Sequence, residues 1–160
     1  MSQPTTDVTI RDASAADLDE VRALFREYHA WLGEDLGFQA FDEEMAALPG
    51  AYVPPAGRLL VAERAGRLLG AIAMRPLAAD VCEMKRLFVR PDAHGAGLGR
   101  ALVERLIAEA RAAGYRAMRL DTIPHKMAAA VALYERLGFR DVPAYYDNPI
   151  PGTRYMERAL

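Results

Sequence analysis

The sequence predicts an α/β (α+β) domain of six or seven strands and about four helices, on three observations. Apolar residues recur at helical spacing in two long stretches, over residues 18–32 and 98–113. Short β-rich runs lie between them, punctuated by Gly and Pro. A strand-like run over residues 81–89 passes through a glycine-rich turn straight into the second helical stretch.

Residues 8–11 read as a short first strand. Ser14 and Asp17 have the form of a helix N-cap with an acid at the third helical position. Leu18, Val21, Leu24, Phe25, Tyr28, Trp31 and Leu32 then follow at helical spacing until Gly33. A weaker helix fits residues 41–48, broken by Pro49-Gly50 and Pro54-Pro55. Residues 59–63 and 68–74 predict a hairpin turning at Ala65-Gly66. A strand over 81–89 stops before Pro91. The helix over 98–113 sets Leu98, Leu102, Leu106, Ile107 and Ala110 on one side and ends at Gly114. Residues 115–121 form a strand, 128–137 a helix ended by Gly138, and 153–157 a last strand. No repeat, low-complexity tract or linker interrupts the chain, so residues 1–160 are expected to form a single domain.

Apolar residues make up 52% of the 160 residues and charged residues 26%, a globular rather than disordered balance. The net charge is −2 and no basic block stands out, so nucleic acid is not an expected partner. The single cysteine, Cys82, excludes an intrachain disulfide and a zinc cluster of several thiolates. Its apolar flanks suit a buried structural thiol better than a nucleophile. His29 and His125 lack metal-ligand spacing, and no metal is expected. Residues 1–7 hold no apolar signal core and no apolar run reaches the length of a membrane span. A cytoplasmic location without membrane contact is the expectation.

The informative stretch runs from Val89 through Arg90, Pro91, Asp92, Ala93, His94, Gly95, Ala96, Gly97, Leu98 and Gly99 to Arg100. A strand, a glycine turn and a helix start in succession make an anion cradle. Glycines admit close approach and positive φ, and the helix N-terminus adds about half a positive charge. The Walker A pattern is absent, since no Gly-Lys-Ser/Thr run exists. The Gly-x-Gly-x-x-Gly fingerprint fails because Arg100 occupies its sixth position. An ordinary glycine-rich turn remains as the plain alternative.

His94-Gly95-Ala96-Gly97-Leu98-Gly99 is similar to the pyrophosphate loop of the GNAT (Gcn5-related N-acetyltransferase) superfamily, Arg/Gln-x-x-Gly-x-Gly/Ala, with His94 at the position of Arg or Gln. Histidine keeps a donor there but not a permanent charge, since it titrates near ~6.5. Glu83-Met84-Lys85-Arg86-Leu87-Phe88-Val89 resembles the family's fourth strand. Ala130, Tyr134, Glu135, Gly138 and Phe139 resemble its helix-then-Gly-Phe signature. Where the family often has Asn, seven residues before the tyrosine, this chain has Met127.

The resemblance implies a mixed, mostly antiparallel, twisted sheet whose strands 81–89 and 115–121 splay apart at one end. It implies acetyl-CoA as cofactor. Leu87, Phe88 and Val89 would meet the pantetheine arm, and His94, Gly95, Ala96, Gly97, Leu98, Gly99 and Arg100 the pyrophosphate. The Val89 N–H would polarise the thioester carbonyl. Tyr134 would stand near the sulfur as proton donor, and Glu83, six residues before Val89, would serve as general base. Plain packing for Tyr134 and an ion pair for Glu83 are the competing roles. Lys85 and Arg86 alternate on the strand, so at most one should enter the cleft, where either could hold a substrate carboxylate. Arg86, Tyr28, Tyr145 and Tyr146 are the substrate-side candidates, with Trp31, Phe38 and Tyr52 as further wall residues. The implied reaction is acetyl transfer to a small-molecule amine. A protein N-terminal or lysine acetyltransferase and a non-catalytic acyl-CoA-binding regulator are the alternatives, and a homodimer is an expectation by analogy alone.

Overall fold

A computed structural model describes residues 7–37 and 40–160. Phe38, a candidate wall residue, lies outside the described residues. In chain order the elements are β1 (Thr9–Asp12), α1 (Leu18–Leu32), α2 (Phe41–Ala47), β2 (Arg58–Arg64), β3 (Arg67–Ala78), β4 (Val81–Val89), α3 (Leu98–Ala112), β5 (Ala117–Thr122), α4 (Ala128–Arg136), β6 (Arg140–Asp141) and β7 (Arg154–Ala159). The two-residue β6 has no counterpart in the sequence reading. It is too short for a period and is held by its ladder to β7 and by Arg154 on Asp141 at 2.9 Å.

The strands form one sheet in the order β1-β2-β3-β4-β5-β7-β6. Every neighbouring pair is antiparallel except β4 and β5. A parallel neighbour needs a crossover, and α3 supplies it. Each face of the sheet carries its own core. Val21, Leu24, Phe25 and Tyr28 of α1 pack with Phe41 and Met45 of α2 on one face. Leu102, Val103, Leu106 and Ile107 of α3 pack with Leu133 and Tyr134 of α4 on the other. The start of α1 is fixed by Asp17, whose carboxylate accepts from the Ser14 N–H at 2.6 Å and from Arg11 at 2.7 Å.

Two features of β4 shape the site. Its register to β3 shifts between Ala71 and Ala73, where Arg86 takes φ 62°. This bulge inserts a residue and inverts the side-chain alternation. Cys82 and Met84 belong to the α3/α4 core before it, and Leu87 and Val89 pack there after it, while Phe88 joins the α1/α2 core. The expectation that only one of Lys85 and Arg86 enters the cleft fails for this reason, and both line it. The second feature is the parallel ladder to β5, which runs Val81↔Ala117, Cys82↔Met118, Glu83↔Arg119 and then stops. Beyond that rung the strands part, as the resemblance implied.

Candidate active site

The parted ends of β4 and β5 open into two adjoining spaces. The larger is a cleft of about 570 Å³ between the glycine loop and α4. The smaller is a pocket of about 50 Å³ lined by α1, β4, β5 and the segment after β6. Tyr28, Leu87, Met127 and Tyr134 line both and form the passage between them.

The cleft is built by the residues expected to hold a cofactor. Leu87, Phe88, Val89, His94, Gly95, Gly97, Leu98, Gly99 and Arg100 line it, while Ala96 belongs to the loop without lining the cleft. Gly95 and Gly97 have φ 87° and 74°, and no atom lies within 4 Å of where a Cβ would stand on either. The loop backbone is therefore open on that side, and Gly97 caps the 15-residue helix α3. A phosphate placed there would meet backbone N–H groups and the positive helix end. Lys126, Arg136 and Arg100 add cationic side chains to the rim. The residues present thus fit a long, anionic, partly apolar cofactor. Trp31 was a candidate for the substrate-side wall, with core packing as the plain alternative. Instead it is 51% exposed and lines this cleft.

His94 plays a part that the sequence did not reveal. Its Nε2 lies 2.8 Å from the Val89 carbonyl oxygen. A carbonyl accepts, so Nε2 carries the hydrogen and ties the loop back to the end of β4. Only a doubly protonated ring could then also donate from Nδ1 to a phosphate.

Tyr134 is buried, and burial pushes its phenol well above the ordinary tyrosine range. Its ring packs on Phe139 at 5.7 Å. Among the described residues no partner hydrogen-bonds its hydroxyl, so that hydroxyl remains open to whatever fills the passage. Tyr28 packs edge-on against Phe88 at 6.0 Å, and burial pushes its phenol up to about 12. Met127 occupies the place of the family's frequent Asn and accepts a 3.5 Å hydrogen bond from Thr122 Oγ1 at its sulfur.

The polar residues of the pocket fall into distinct groups. Glu83 has no exposed surface; Arg75 Nε donates to its Oε1 at 2.8 Å and the Tyr145 hydroxyl to its Oε2 at 2.6 Å. It does not line the pocket. Arg86 does, but Glu44 of α2 grips its guanidinium at 3.0 and 3.1 Å while Phe41 lies beneath it. Tyr145 and Tyr146 pack edge-on against Tyr155 and fasten their loop to the sheet, Tyr146 through a hydrogen bond to the Asp121 carboxylate. Neither tyrosine lines the pocket, whereas Asn148 and Ile150 of the same loop do. The sequence reading passed over Asp121 and Asn148. The available signal for Asp121 was an acid at the end of an otherwise alternating strand that runs beside β4. Cys82 is buried, its Sγ donates towards the Ala117 carbonyl at 3.6 Å, and burial pushes its thiol up to about 12, so it is a packing residue. No helix among the described residues is long and apolar enough to cross a membrane.

Comparison with known proteins agrees with this geometry. The chain is 43% identical over 142 residues to an uncharacterized N-acetyltransferase of Schizosaccharomyces pombe, covering 88% of this chain and 86% of that protein. It is 41% identical over 145 residues to the IAA acetyltransferase of Azospirillum brasilense, covering 89% and 92%. A solved Salmonella typhimurium structure, with its cofactor acetyl-CoA, matches with a TM-score of 0.73 at 26% identity over 96% of this chain and 94% of that one. The model of the acetyltransferase (GNAT) family matches residues 18–139, a span that takes in the glycine loop, Tyr134 and the Gly138-Phe139 turn. This chain therefore belongs to the acetyltransferase (GNAT) family.

Proposed function

We propose that the protein transfers the acetyl group of acetyl-CoA to the amine of a small molecule by direct attack on the thioester. The observation that carries this reading is the position of Tyr134, a buried side chain whose hydroxyl has no described partner, on the passage between an open glycine-loop cleft and a small polar pocket. Bound acetyl-CoA would supply an activated acetyl group, from which the amine nitrogen gains a C–N bond as the C–S bond breaks.

The remaining chemistry belongs to the chain. Fixing both reactants in adjoining spaces removes much of the entropic barrier. An alkylammonium, with a reference pKa of about 10.4, must lose one proton before attack and a second afterwards. One of the two is returned to the sulfur by Tyr134, which a buried, firmly protonated phenol can do. The other leaves to solvent, so an ammonium substrate releases one net proton per turnover. Glu83 serves as the base through water, since its own oxygens are both engaged and it does not line the pocket. No covalent enzyme intermediate is required.

The small pocket favours a compact amine over a peptide chain. The test is thiol release from acetyl-CoA against amines, amino acids, polyamines and peptides, with product masses. Turnover of small amines is expected. Turnover of peptides alone would refute the small-molecule reading, and failure to bind acetyl-CoA would refute acyl transfer itself.

A further inference from the structure

Lys85 is a charged group of the small pocket that has no hydrogen-bond or ion-pair partner among the described residues. It stands on β4 two residues past the last rung shared with β5, and it lines the pocket. No hydrogen bond or ion pair joins it to a described residue. The neighbouring charges are committed elsewhere, Glu83 to Arg75 and Tyr145, and Arg86 to Glu44. Burial holds the Lys85 ammonium below the ordinary lysine range, with Glu83 pulling the other way. A half-buried ammonium that no carboxylate touches gains a direct partner from a ligand that brings one.

Across the gap stands Asp121. Continuing the parallel register of Glu83↔Arg119 by two residues on each strand would set Lys85 opposite Asp121. The ladder ends first, so the two face each other over the pocket without an ion pair. Asn148 Nδ2, at 2.8 Å, and the Tyr146 hydroxyl both donate to Asp121 Oδ2. Oδ1 receives no hydrogen bond from a described residue. One wall of the pocket thus offers an unpaired cation, and the facing wall offers a fixed carboxylate with one free oxygen.

We propose that the acceptor is an amine that carries its own carboxylate, held with that carboxylate on Lys85 and its ammonium towards Asp121 Oδ1. The inference rests on the acyl-transfer reading above and narrows its substrate. A phosphate monoester would present more charge, and a sulfate ester more bulk, to the same small space beside Asp121, and an amine without an anionic group would leave Lys85 without a partner. The carboxylate takes no part in bond making. The nitrogen, once deprotonated, receives the acetyl group as before.

The experiment uses the full chain with acetyl-CoA and a panel of α-, β- and γ-amino acids, each beside its primary amide and its decarboxylated amine. Thiol release and product mass are read for wild type, Lys85→Met and Lys85→Arg, and acetyl-CoA affinity is titrated separately. The expected result is an amino acid preferred over its amide by about 30-fold or more in kcat/KM, the discrimination a buried charge partner provides. Lys85→Met should raise KM for the acid and erase that preference with acetyl-CoA affinity unchanged, and Lys85→Arg should keep most of it. Equal use of acids and amides by wild type overturns the proposal, whether or not the variants fold. So does a Lys85→Met loss shared equally by acid and amide, and so does a protein that binds acetyl-CoA but acetylates no acid of the panel. A protein that does not bind acetyl-CoA overturns the acyl-transfer reading and this inference together.

Discussion

The Tyr145 hydroxyl donates a 2.6 Å hydrogen bond to Glu83 Oε2, pinning the loop between β6 and β7 to the middle of the sheet. Hydrogen bonds to a carboxylate are short and roughly twice as strong as neutral ones. Tyr145→Phe should therefore lower stability by about 2 kcal/mol, and Glu83→Gln by a similar amount, both visible as lower urea midpoints at unchanged slope. The base role proposed for Glu83 adds a kinetic difference. Glu83→Gln should lose rate near neutral pH and partly recover it at high pH, where the amine is already neutral. A pH–rate profile parallel to wild type would leave Glu83 as a strut only.

Gly97 tests the glycine loop. Its φ of 74° is a strained position for any side chain, yet nothing lies within 4 Å of the added Cβ. Gly97→Val should cost about 1–2 kcal/mol of stability, leaving the fold intact. A branched side chain over the open N–H groups should nonetheless weaken acetyl-CoA binding at least tenfold, measured calorimetrically on the folded variant. Unchanged affinity would place the pyrophosphate elsewhere.

Arg86 and Glu44 make an asymmetric pair. The Arg86 side chain is 2% exposed and that of Glu44 20%. Removing the partner of the more deeply buried charge should cost more, because that charge cannot be rehydrated. Glu44→Ala is expected to destabilise by about 3 kcal/mol and Arg86→Met by less, compared by thermal or urea unfolding. The reverse order would mean that Glu44, not Arg86, is the desolvated member.

These residues also mark what the sequence could and could not convey. The open turn at Gly95 and Gly97 and the place of Tyr134 beside it are legible because both depend on local chain geometry and short spacing. So are the strand and helix periods, which recover every element except β6 within a few residues. Lys85 and Arg86 were expected on opposite faces because a bulge at a non-glycine residue leaves no mark in an alternating pattern, yet it changes which side chains share a face. Trp31 was named for the substrate side and lines the larger cleft instead, because helical spacing does not tell which cavity a helix face borders. Lys85 and Asp121 become a pair only through where a parallel ladder ends, a property of two strands that neither strand carries alone.

Tyr134 gives the most direct test of the chemistry. A thiolate leaving in a dry passage must be protonated before it can depart, and its reference pKa near ~8.5 lies below that of any tyrosine. The Tyr134 phenol, held above the ordinary range by burial, is a fixed donor at neutral pH. Tyr134→Phe keeps the ring that packs on Phe139 and removes only the oxygen. Stability should therefore change little, since no described partner loses a bond. Acetyl-CoA affinity should also hold, because the proposed cofactor contacts lie on the glycine loop and β4. The loss should fall on kcat, by about 10²-fold or more if proton transfer limits the rate. A solvent isotope effect on wild type that disappears in Tyr134→Phe would tie the loss to that proton. Full activity in Tyr134→Phe would reduce the tyrosine to packing and return thiolate protonation to water.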